Sequence, residues 1–153
     1  MNNSMLTSNC RGRKQEARGK RLHLRLGIMD DFYYRKLKVY HLSQQLVKDV
    51  YLLMDCFPAK ERTALTNQLQ RAVISVPSNI AEGMGRFSVK ERIHFLEISY
   101  GSLSEVMCQL EIAESLNYIS SEILKEQEQN IKGIARMLLG LRNALNEKAI
   151  KCD

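Results

Sequence analysis

The chain has 153 residues, of which 44% are hydrophobic and 26% charged, and it carries a formal net charge of +6. That is the composition of one soluble globular domain, and it excludes a disordered or fibrous chain. The longest apolar run, Val50 to Met54, has five residues where a membrane helix needs about 20, so no membrane association is expected.

Residues 1–33 carry seven Lys/Arg against Glu16, Asp30 and Asp31, a net of +4, while residues 34–153 carry a net of +2. The segment 1–32 lacks a sustained helical period and reads as a basic, disordered tail. Three origins fit it: a nucleic-acid-binding arm, a transit-like segment, or a non-native extension of a protein whose translation begins at Met29. It has no apolar core segment of the kind a secretory signal requires. Cys10, Cys56, Cys108 and Cys152 lie more than forty positions apart with no CxxC pair, and His23, His41 and His94 have no paired spacing. They read as free thiols in a reducing cytoplasm and as ordinary surface histidines, with no metal site and no cofactor.

From about Arg35 the pattern turns helical. Val39, Leu42, Leu46, Val50, Leu53 and Phe57 step by three and four, and Leu37, Tyr40, Val47, Tyr51 and Met54 run beside them. An apolar face that wide exceeds one helix-to-helix seam. Pro58 cannot continue this helix but suits the first turn of another. A second helix is predicted from about Ala59 to Glu82, with Leu65, Leu69, Ala72, Val76 and Ile80 inward and a kink near Val73 to Pro77. Gly83 and Gly85 are expected to end it by adopting positive φ.

Ser88-Val-Lys-Glu91 reads as a capping box opening a third helix, in which Val89, Ile93, Leu96, Tyr100, Leu103, Met107 and Leu110 alternate four and three. Gly101-Ser102 in its middle predicts the close approach of a neighbouring backbone. Ser120 or Ser121 caps a fourth helix carrying Leu124, Ile131, Ile134, Leu138, Leu141 and Leu145. Four long helices with short connections predict an all-α, antiparallel up-down-up-down four-helix bundle over residues 33–150.

That topology sorts the charge. One end collects residues 34–45, 71–100 and 136–153, with eleven Lys/Arg against five acids; the other collects five against nine, so the ends are +6 and −4. Arg35, Lys36, Lys38, Arg71, Arg86, Lys90 and Arg92 are the candidate nucleic-acid contacts. Arg86, Lys90 and Arg92 sit around a helix N-terminus, where the dipole disfavours cations, whereas Arg142, Lys148 and Lys151 suit a solvated C-terminus. Phe32, Tyr33, Tyr34 and Phe87 near that end read as core and staple residues, with base stacking a minor role. There is no GxSxG, P-loop, GxGxxG or paired Cys/His, so no catalytic residues, no small-molecule substrate and no enzyme are expected.

The run QLQRAVISVPSNIAEGMGR (68–86), the S-x-K-E at Ser88 to Glu91, Gly101-Ser102-Leu103-Ser104-Glu105, and Phe57-Pro58 with Glu61 together resemble the 23S rRNA intervening-sequence protein family, over about residues 33–146. The resemblance implies a left-handed up-down bundle assembling as a ring-shaped homopentamer, encoded in many cases within an insertion in the large-subunit ribosomal RNA gene. It also implies a chain beginning near Met29. A similar protein, the accessory variability determinant of diversity-generating retroelements, has a basic surface and binds a reverse transcriptase and its template RNA.

Within the matched run Ser75, Asn79, Glu82 and Gly83 form a structural motif. Ser75 and Asn79 are expected to satisfy backbone groups freed by Pro77, and Glu82 to pair with Arg86 or Arg71. Tyr40, Val47, Tyr51 and Met54 either pack against a neighbouring subunit or cover the bundle diagonal. The expectation is a non-enzymatic, cytoplasmic homo-oligomer whose basic end engages RNA or DNA, or an RNA-bound protein such as a reverse transcriptase. The alternative is a protein-directed oligomeric adaptor with no nucleic-acid binding of its own.

Overall fold

In the computed structural model, which describes residues 32–150, four α-helices follow one another: α1 (Lys38–Met54), α2 (Leu65–Gly85), α3 (Val89–Ser115) and α4 (Ser121–Ile150). Two 3-10 helices, Tyr33–Lys36 and Ala59–Thr63, precede α1 and α2, and no strand occurs among the described residues, so the fold is all-α. Apart from Phe32, the tail expected over residues 1–32 lies outside the described residues, with its three possible origins; so do Cys10 and Cys152. Cys56 and Cys108 are exposed free thiols.

Each helix buries most of the face that its apolar period marks; the exception is Tyr100 of α3, expected inward but exposed, while Ser99, Val106 and Ala113 beside the expected stripe are buried. Val39, Leu46 and Val50 of α1, Leu69, Val73, Val76 and Ile80 of α2, Leu96, Leu103 and Leu110 of α3, and Ile131, Ile134 and Leu138 of α4 form one core. Burying a side chain of this size contributes about 1.5–3 kcal/mol each, which is what sets the helices against one another. Each helix packs on two others, α1 on α2 and α4, and α3 on α2 and α4, with the diagonal pairs apart among the described residues. Consecutive helices are antiparallel. Tyr51 near the end of α1 meets Gln70 near the start of α2, Ser75 of α2 meets Ser102 of α3, and Glu97 of α3 meets Arg142 of α4.

Several boundaries differ from expectation, each for a local reason. α1 ends at Met54, and a turn carries the chain to Phe57, whose buried ring lies 5.6 Å from the Tyr118 ring. The segment expected to open the second helix is instead the separate 3-10 helix Ala59–Thr63. There Glu61 accepts a 2.9 Å hydrogen bond from the Tyr118 hydroxyl, and Ala64 leaves helical geometry at φ −114° and ψ −104°. α2 then runs on past Pro77 to Gly85. At the start of α3 Ser88 takes the N-cap position but makes no side-chain cap bond, so the expected capping box is absent. Ser88 and Glu91 are exposed, and the connection is held instead by Arg92, whose Nε donates to the Arg86 carbonyl at 2.7 Å.

α3 closes in a Schellman motif. Asn117 adopts φ +59°, the Tyr118 amide donates to the Ala113 carbonyl and the Asn117 amide to the Glu114 carbonyl, both at 2.8 Å. Ser120 begins α4, its hydroxyl accepting from the Ile123 amide at 3.4 Å.

The glycines also behave differently. None among the described residues has positive φ, so neither Gly83 nor Gly85 ends α2 in the expected way. The close approach expected at Gly101 is found at Gly83. A Cβ at Gly83 would lie 2.8 Å from Phe95 Cβ and 3.2 Å from the Arg92 carbonyl, whereas nothing lies within 4 Å of one at Gly101. Small side chains do line the α2–α3 seam on the α3 side, but they are the buried Ser99 and Ser102.

Opposite outcomes follow for two glycine-to-alanine changes in the interiors of helices. Gly83→Ala drives a Cβ into another Cβ that is fixed to its backbone, so the helices must separate, and it is expected to destabilise by about 1–3 kcal/mol. Gly101→Ala is expected to stabilise by about 0.5–1 kcal/mol, because it meets open space and removes the glycine's entropic cost. Denaturant titration of both variants reads the difference directly.

Candidate nucleic-acid interface

The α2–α3 seam positions the end of the bundle where cations gather. It is held by a chain of hydrogen bonds in which Asn79 Nδ2 donates to Ser75 Oγ at 2.9 Å, Ser75 to Ser102 Oγ at 2.8 Å, and Ser102 to the Ile98 carbonyl at 3.0 Å. Because Ser102 spends its one proton on Ile98, the Ser75 hydroxyl is the donor between the two serines, and every bond in the chain points the same way. Ser99, fully buried, adds a 2.9 Å bond to the Val76 carbonyl. Asn79 also donates to the Ser75 carbonyl at 2.8 Å. That carbonyl is not the one expected: Pro77 deprives Val73 of its usual donor, and Asn79 serves Ser75 instead.

One turn further on, Glu82 pairs with Arg86, as one of the two expected partners, and Arg71 is elsewhere. The Arg86 guanidinium also lies 4.7 Å above the centre of the Phe95 ring, a cation–π contact. Gly83, beneath them, lets the two helices close. The α2–α3 turn is thus held by Arg86 through its side chain and, from Arg92, through its carbonyl.

The register of the seam revises the charge map. With Ser75 and Ser102 at mid-height, the half containing this turn carries Arg35, Lys36, Lys38, Arg86, Lys90, Arg92 and Arg142 against Glu82, Glu91, Glu97 and Glu147. That is +3 over residues 33–147, while the other half is −2, with seven Lys/Arg against nine acids. The polarity has the expected sign and a smaller size. Arg71 falls in the acidic half, next to Gln70 and level with Tyr51, so it does not join the basic end. Of the candidates, Arg35, Lys36, Lys38 and Lys90 are exposed there, and Arg86 and Arg92 are half-buried in the contacts above. At the opposite end Glu122 is held below the ordinary carboxylate range, first by the Ser120 hydroxyl, then by its own backbone amide and the Ser121 hydroxyl.

Three of the four aromatics at the basic end are not the core residues expected. Phe87 is 99% exposed, Tyr33 59% and Phe32 55%, while Tyr34 packs against the core, edge-on to Tyr40 at 4.7 Å. No periodicity distinguishes an outward Phe at a turn from a staple, so sequence reasoning missed it.

The four residues marked as an interface divide. Met54 is in the core, and the Tyr51 hydroxyl accepts a 2.7 Å bond from Gln70 of its own chain. Tyr40 and Val47 are half-buried and line, with Ile74, Pro77 and Ala81, an open groove of about 460 Å³ between α1 and α2. Among the described residues no cluster of His, Cys, Asp or Glu is arranged to hold a metal ion, and no helix is long and apolar enough to cross a membrane.

The sequence profile of a family described as 23S rRNA-intervening sequence protein matches residues 35–140, from the first 3-10 helix through most of α4. A solved structure of a protein of unknown function from the S23 ribosomal protein family of Bacteroides thetaiotaomicron VPI-5482 superposes with a TM-score of 0.62. The two are 22% identical, over 68% of this chain and 97% of that one, a likeness that shows the fold. No curated protein matches the chain.

The interior chain and the surface pair should differ in worth. Ser75→Ala breaks two bonds of a partly buried network and is expected to cost about 1–2 kcal/mol. Glu82→Gln removes an ion pair whose side chains are 41% and 50% exposed, and is expected to cost no more than about 0.5 kcal/mol. Urea midpoints of the two variants test this ranking.

Proposed function

Since the chain belongs to the 23S rRNA-intervening sequence protein family, we propose that it is a non-enzymatic, cytoplasmic RNA-binding bundle that engages the phosphate backbone through its basic end. The supporting observation is that exposed Arg35, Lys36, Lys38 and Lys90 share the half of the bundle that holds the α2–α3 turn, while its other half is net acidic. Cations held together on a rigid scaffold raise the local potential and release counterions when they meet phosphates. Nothing in such an arrangement reads base edges, so the affinity is for backbone charge, and steeply salt-dependent.

A single end of this size binds weakly. Self-association, as a homopentamer, would place several such ends on one RNA and raise their effective concentration. The half-buried Tyr40 and Val47 beside the α1–α2 groove are the surface proposed for that contact. An RNA-bound protein such as a reverse transcriptase meets the same end in the same way, through the RNA it carries.

Titration of a labelled structured RNA with the full chain, at low and at moderate salt, tests the proposal. Tight binding at low salt that falls steeply with added salt is expected. In the double variant Lys38→Gln, Lys90→Gln the slope of log K against log salt should flatten by about 2, one unit per lost phosphate contact. No binding at low salt would overturn the proposal in favour of a protein-directed adaptor.

A further inference from the structure

The least buried large apolar side chain among the described residues lies in the turn at the basic end. Phe87, 99% exposed, lies in the turn between α2 and α3, with Arg86, Lys90 and Arg92 within five residues of it and one unpaired acid, Glu91, on the following helical turn. An isolated exposed Leu or Ile needs no explanation, but a wholly exposed Phe ring has no contact of its own to justify its place.

The turn that carries it is pinned by its neighbours. The residue before it is fixed three times over: the Arg86 amide donates to the Gly83 carbonyl at 3.1 Å, the Arg86 carbonyl accepts from Arg92, and the Arg86 guanidinium covers the Phe95 ring. The Phe95 ring is thus covered by Arg86, and Phe87 is left 99% exposed. Its backbone stands on a turn pinned at the preceding residue, which lowers the ordering cost when a partner stacks on the ring.

We propose that Phe87 is a stacking platform for an unpaired base, and that Lys90 and the cations of residues 35–38 take the phosphates on either side of it. The inference rests on the RNA-binding reading and deepens it, from a polyanion in general to RNA with a single-stranded segment. The chemistry favours a nucleic acid over an acidic peptide, because an aromatic face set among cations offers a base a π-surface and its backbone counter-charges together. A duplex offers the phosphates but keeps its bases stacked on one another.

The test uses the full chain with a single-stranded oligoribonucleotide and the blunt duplex of the same sequence. The protein contains no Trp, so Phe87→Trp introduces one reporter at the site. Its fluorescence should be quenched by the single strand and not by the duplex. Phe87→Ala should weaken single-strand binding about tenfold, the loss of one base–aromatic stack, and leave duplex affinity unchanged. Because the ring touches nothing, the melting temperature should not move, which separates lost stacking from lost folding. RNA binding by the unaltered chain with no effect of Phe87→Ala on the single strand would overturn this inference alone. Binding of neither polymer by the unaltered chain would overturn the RNA-binding reading and this inference with it. A fall in sedimentation mass on Phe87→Ala would identify the ring as a subunit contact and overturn the stacking role.

Discussion

The close packing of α2 on α3 is the constraint from which the rest of the molecule follows. A pair of helices this near requires a strip without bulk, and Gly83, Ser75, Ser99 and Ser102 supply it. Small residues alone would give little apolar burial, so the hydroxyls do a second job. They tie the helices through Asn79, Ser75 and Ser102 and through Ser99 to the Val76 carbonyl. A buried polar chain is stabilising only when each member is satisfied, and here the direction of every proton is determined by the last acceptor, the Ile98 carbonyl.

That seam also sets the height of everything else. By joining mid-α2 to mid-α3 it places the Arg86–Ser88 turn at one end and Gln68 with Glu105 towards the other, linked at 2.6 Å. The 3-10 helix with Arg35 and Lys36 shares the first end because it opens α1, whose Tyr40 lines one groove with Ala81 near the end of α2. At the far end Phe57, Glu61 and Tyr118 knit the α1–α2 connection to the turn between α3 and α4. The size of the bundle's polarity depends on register, since Arg71 lies only about one helical turn from the middle.

Much of this was legible in the chain. Leucine, isoleucine and valine at steps of three and four marked the buried faces of all four helices, because an α-helix presents one stripe to a core whatever its neighbours are. The Ser75 to Arg86 run announced the family. Other features were read with the right residues and the wrong physics. Gly83 reads as a terminator because glycine tolerates positive φ, yet it is helical and serves by lacking a Cβ. Ser88 and Glu91 have the spacing of a capping box, yet both face solvent, and the Arg92 side chain secures the turn in their place.

The sequence by itself determined the helical class, the core faces, the order of the elements and the sign of the charge at each end. All of these depend on local periodicity and on antiparallel succession, which short connections enforce. Only the tertiary structure decided which small residues lie in the seam, that Arg71 belongs to the acidic half, that Met54 is core, and that Phe87 is left in water. These depend on what stands across from a residue on another helix, and a one-dimensional pattern carries the spacing along a helix but not the height at which its neighbour meets it.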